Sequence, residues 1–102
     1  MALSDGYSYN KAGVNANAPT YAGVYGLFRK DNWIYFGEAI NIRDRLIQHL
    51  DTDAEENPDI VRENPTGFCF ESVEGGKTAR VARQDQLILQ YRNHPLCNRK
   101  LG

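Results

Sequence analysis

Two short runs of β-branched and aromatic residues, separated by a polar break and followed by an amphipathic stretch, constrain this chain more than any other feature. Val24, Tyr25, Leu27 and Phe28 lie before Arg29-Lys30-Asp31-Asn32, and Trp33, Ile34, Tyr35 and Phe36 lie after it. Strand formers around turn formers predict a β-hairpin. Side chains alternate along a strand, so Gly23, Tyr25 and Leu27 share one face while Val24, Gly26 and Phe28 share the other. Tyr25 and Tyr35 then stand on neighbouring strands with their hydroxyls directed the same way. Beyond the hairpin, Asn41 is a candidate N-cap, and Ile42, Leu46, Ile47 and Leu50 recur at helical spacing as a buried stripe. Arg45 and His49 are four apart, which stacks them on one side of that helix.

These side chains suit phosphodiester chemistry. Guanidinium is a planar donor fork matched to phosphate oxygens and keeps its charge near neutrality. Tyrosine and histidine can both transfer protons, and histidine has the ordinary pKa nearest neutral pH. Taken singly, each also has an ordinary reading: half-buried strand tyrosines, a solvated helix arginine, a histidine against the last helix carbonyls.

Together they form a pattern. Gly23-Val24-Tyr25, Tyr35-Phe36-Gly37 and the helix Asn41-x-x-x-Arg45-x-x-x-His49 resemble the GIY-YIG nuclease family. Leu87-Ile88 and Pro95-Leu96-Cys97-Asn98 resemble its later segments, so the resemblance covers about residues 20–98. It implies an α/β (α+β) fold, a small, mainly antiparallel three-stranded sheet flanked by helices. It further implies an endonuclease that hydrolyses DNA, with RNA as the alternative substrate, using a divalent metal, magnesium or manganese. Tyr25, Tyr35, Arg45 and His49 are its implied catalytic residues, and Gly23, Gly37 and Asn98 order the site.

One position departs from the family. Where the family carries a metal-binding glutamate three residues before the Leu-Ile pair, this chain has Gln84, and counting back from Asn98 gives Gln86 instead. Hard cations prefer anionic oxygen, so a neutral amide is a weaker ligand. Asp85 is adjacent, but one helix residue is a rotation of about 100°. Either Asp85, Glu38 or another acid restores the metal site, or the domain keeps the fold as a catalytically silent module that binds nucleic acid or protein.

With 102 residues, the chain has material for one modest core. We expect residues 21–102 to form a single domain and residues 1–20 an arm, mostly extended with turns at Gly13 and Pro19, docked through its tyrosines. No apolar run approaches the roughly 18 residues that a membrane helix needs, and MALSDGYSYN lacks a signal-peptide pattern, which predicts a cytoplasmic protein. Cys69 and Cys97 are too few for a disulfide framework and read as free thiols. Net charge is −1, low for a nucleic-acid binder, but it is uneven. Residues 51–66 hold six acidic and one basic side chain, whereas residues 67–102 hold six basic and three acidic.

The acidic segment reads as a solvated surface, with Pro58 opening a short helix that ends before Pro65. A calcium site at Asp51, Asp53, Glu55 and Glu56 lacks EF-hand spacing. Residues 67–73 alternate as a third, central strand, and Gly75-Gly76 turns into a helix from Lys77 to about Asn93. Val81, Ala82, Leu87, Ile88, Leu89 and Tyr91 form its apolar stripe.

Overall fold

The computed structural model describes residues 3–98. Its elements, in chain order, are β1 (Tyr7–Ser8), α1 (Lys11–Asn17), β2 (Gly23–Arg29), β3 (Asn32–Ala39), α2 (Ile42–Glu56), α3 (Pro58–Glu63), β4 (Gly67–Ser72) and α4 (Gly76–Gln90). The strands make one antiparallel sheet in the order β1-β4-β2-β3. The expected three strands are therefore joined by a fourth. Tyr7 and Ser8 pair with Phe68 and Gly67, which lends β4 a neighbour on each side.

The hairpin turns at Lys30-Asp31, with Arg29 opposite Asn32, and Lys30 adopts φ 54°. A register shift at Leu27/Phe28 leaves Leu27 opposite Tyr35 and Tyr25 opposite Gly37. This puts Tyr25, Tyr35 and Gly37 on one face of the sheet. That face packs against α1, α2 and α3 through Val14, Ala18, Ile42, Leu46 and Ile60. Val24 and Phe36 point the other way, onto Leu87 and Ile88 of α4, with Trp33 and Tyr91 alongside. The two long helices thus cover opposite faces.

Residues 11–17 are helical rather than extended. Asn10 caps α1 by accepting from the Gly13 amide, and the fully buried Val14 and Ala18 join the main core. The segment is then tied to the start of α2. The Ile42 amide donates to the Tyr21 carbonyl, the Arg43 amide to that of Pro19, and Arg43 Nε to that of Ala18. A seven-residue helix with Val14 as its one buried residue has too little period to be visible alone.

Helix α2 runs on to Glu56, six residues beyond the expected stripe. Its Asn41 cap accepts from the Asp44 amide, and its buried residues are Ile42, Leu46, His49 and Asp53. Asp53 does not belong to the solvated acid run. α4 stops at Gln90, before Asn93, because residues 91–94 turn, and Leu89 is 50% exposed instead of lying in the apolar stripe. Gly75 and Gly76 both have positive φ, and Gly76 already begins the helix.

Candidate active site

Gly37 allows the site to form. The Tyr25 ring lies directly over it, and a Cβ there would collide with the phenol oxygen and ring. Because Tyr25 and Gly37 are a cross-strand pair, the missing side chain leaves room for the ring to lie across β3. The hydroxyl then reaches His49 Nε2 of α2 at 2.6 Å. Gly23 serves the backbone. A Cβ there would strike the Glu71 carbonyl, so glycine lets β4 approach at this end of β2.

His49 is gripped from its other side. Nδ1 lies 2.8 Å from both carboxylate oxygens of Asp53, one helical turn on, and Asn57 Nδ2 donates to Asp53 Oδ1 at 2.8 Å. An ionised carboxylate only accepts, so Nδ1 carries the proton and Nε2 is left to accept from the Tyr25 hydroxyl. His49 and Asp53 are each 3% exposed. Burial holds the imidazole below its ordinary pKa, against an opposing pull from the Asp53 hydrogen bond, and favours the neutral form. Burial likewise drives Tyr25 well above the ordinary tyrosine range.

The Tyr35 ring lies 6.3 Å from that of Tyr25 and 5.5 Å from His49, centre to centre. It is half-buried, and burial raises its pKa too. Arg45, one turn before His49, places its guanidinium beside the Tyr25 hydroxyl and donates to Gln48 Oε1 at 2.8 Å. Burial works against its charge, but Tyr25 and Tyr35 outweigh it and raise its pKa. The structure therefore gathers Tyr25, Tyr35, Arg45 and His49. It adds Asp53, a buried member of the acidic segment. The signal for it was the repeat Arg45, His49, Asp53, each four residues from the last.

Asn98 acts on the backbone. Its amide donates to the Phe36 carbonyl and accepts from the Phe36 amide, each at 2.9 Å, which closes the free edge of β3 within the second tripeptide. Gln84 and Asp85 lie on α4, and neither is among the residues lining the groove that Arg45 lines.

The residues do not fit a carboxylate-held metal ion. Among the described residues no three His, Cys, Asp or Glu side chains converge as ligands. Glu38 Oε2 holds Lys77 Nζ at 2.8 Å and Oε1 holds Arg80 Nε at 2.9 Å, so both of its oxygens already bind cations. Asp53 is spent on His49 and Asn57.

The antiparallel sheet with α2 on one face and α4 on the other matches the GIY-YIG domain fold. Among solved structures, the chain is similar to the GIY-YIG N-terminal endonuclease domain of UvrC from Thermotoga maritima, in two point-mutant forms each bound to its catalytic divalent cation. Identity to each is 29% over 74% of this chain and 81% of that one, with a TM-score of 0.60. No protein-family model and no curated protein matches the sequence.

Proposed function

We propose that the protein is a GIY-YIG-type endonuclease that hydrolyses DNA phosphodiester bonds. The observation that carries this reading is the continuous relay from Tyr25 Oη through His49 to Asp53, with the Arg45 guanidinium beside its outer end. A relay of this kind reconciles the raised pKa of Tyr25 with a role in catalysis, because free tyrosinate never has to form. The attacking water gives its proton to Tyr25 Oη as the phenolic proton passes to His49 Nε2, and Asp53 stabilises the resulting imidazolium. Asp53 is thus a positioning residue. Arg45 neutralises charge on the five-coordinate phosphorus, the bond to the leaving oxygen breaks, and that oxygen takes a proton from solvent. Tyr25 has no exposed surface in the free protein, so the attacking water reaches Oη only as the half-buried Arg45 side chain beside it turns to the phosphate.

The solved domains bind a catalytic divalent cation, and magnesium or manganese is the corresponding proposal here. The donors around the relay do not provide for it, so no step above passes through a metal. A specific observation also favours a second reading. With Gln84 at the family's glutamate position, the domain binds DNA without cutting it.

Incubation of supercoiled plasmid with magnesium, manganese or EDTA, beside Arg45→Ala and Gln84→Glu, separates the two. Nicking that disappears in Arg45→Ala supports the nuclease. An inert wild type beside a cutting Gln84→Glu supports the binding module. Unchanged nicking in Arg45→Ala rules out the assigned site. No helix among the described residues is long and apolar enough to cross a membrane.

A further inference from the structure

The first turns of α2 and α4 start at the same end of the sheet, where Gly23 pairs with both Ala39 and Ser72. Between them, across the end of β3, lies a groove of about 330 Å³ lined by Glu38, Asp44, Arg45, Gln48, Lys77 and Arg80. We propose that this groove binds a DNA phosphate next to the one being cut, and does so with side-chain cations rather than with a divalent metal. The proposal deepens the nuclease reading and rests on it.

Three cationic side chains face two carboxylates here, which leaves the groove net positive in a chain whose total charge is −1. Glu38 acts as the organiser. Its position on the α4 side of β3 is fixed by pairing with Val24, and its two oxygens each take one cation of α4. Burial pulls the Glu38 carboxyl up, but the hydrogen bonds from Lys77 and Arg80 outweigh this and lower its pKa, so it is ionised at neutral pH. A divalent ion at Glu38 Oε2 would compete with Lys77, and one at Oε1 with the fixed Arg80.

The two cations differ in availability. The Arg80 side chain is 8% exposed and fixed, whereas that of Lys77 is 71% exposed. A surface ion pair such as Lys77–Glu38 contributes little, so Lys77 can turn to a phosphate at small cost. Arg80 lines the groove from a set position and contributes its fixed positive charge there. Ile40, also in the lining, is 75% exposed and offers an apolar lip for a sugar or base.

Fluorescence anisotropy of a labelled duplex oligonucleotide tests this on the full chain, in EDTA and in magnesium, across a salt series. Variants are Lys77→Ala, Lys77→Glu and Glu38→Gln, with Lys11→Ala as a control at a remote ion pair. Binding should persist in EDTA. Lys77→Ala should weaken it about threefold to tenfold and reduce the salt slope by about one, as expected for one lost phosphate contact. Lys77→Glu should weaken it further, and Glu38→Gln should strengthen it.

Binding that needs magnesium, that weakens in Glu38→Gln, or that is unchanged in both Lys77 variants overturns the proposal. Plasmid nicking, measured in the same preparations, keeps the two readings apart. Arg45-dependent nicking with Lys77-independent binding sinks the groove alone. Lys77-dependent binding without nicking sinks the nuclease alone.

Discussion

At the scale of single residues, the neutral state of His49 is the property on which the proposed chemistry turns. Its folded pKa lies below the ordinary 6.5, so in the window just under pH 6.5 the unfolded chain binds a proton that the folded chain does not. Stability from this site is fully present above pH 6.5 and falls as pH drops through the lowered value. Urea unfolding from pH 5 to 8 should show stability rising with pH, and His49→Gln should flatten that rise. A slope of equal size in the variant would place its origin elsewhere. Glu38 is also lowered, but from 4.5, and acts in a more acidic window. Gly37 makes a second prediction. Gly37→Ala forces the Tyr25 ring away from His49 and should cost about 1–3 kcal/mol, with nicking reduced much more than DNA binding. Equal losses in both would indicate general unfolding instead.

At the scale of elements, β3 is an edge strand whose free side is covered by the tail of the same chain. The Trp33 amide donates to His94 Nδ1, the Cys97 amide to the Ile34 carbonyl, and Asn98 takes both polar groups of Phe36. An uncovered edge would be a template for pairing with other chains. Asn98→Ala removes two of these bonds and should lower stability by about 1–3 kcal/mol. Hydrogen exchange should then accelerate most at the Phe36 amide. Exchange there as slow as in the wild type would mean that the tail does not protect this edge.

At the scale of the whole molecule, the first half of α4 is fixed to the sheet by ion pairs on either side of Val24. Arg83 makes a two-point contact with Glu71 of β4, both bonds at 2.9 Å, while Lys77 and Arg80 hold Glu38 of β3. Glu71 is buried, so Arg83→Met strands a carboxylate and should cost about 3 kcal/mol by thermal or urea unfolding. Adding Glu71→Gln should restore part of it. A single variant as stable as wild type would show that water already reaches Glu71. Three of the basic residues on α4 are therefore bound to acids on the sheet, which is why a count of charges says little about where the surface is positive.

Local chemistry made the hairpin, the Asn41 cap and the pair Arg45 and His49 legible, because strand alternation and helical spacing act over a few residues. The same rules, with a reading of short spacings, led to two tyrosines on one face and to the opening of α3 at Pro58. What stayed hidden depended on contacts far apart in the chain. α1 is stabilised by placing Val14 and Ala18 in a core built by later elements, and β1 exists only as a partner for β4. Asp53 looks like one more acid in an acidic run until the sheet sets Tyr25 against His49 and creates the need for a buried carboxylate behind it. Glu38, likewise, becomes the organiser of a cationic groove only once α4 lies on its face of the sheet. The sequence by itself determined which side chains could do phosphodiester chemistry and the local elements that carry them. Only the tertiary structure decided which of them meet, which acid serves the histidine and where positive charge collects, because burial and long-range pairing set those energies.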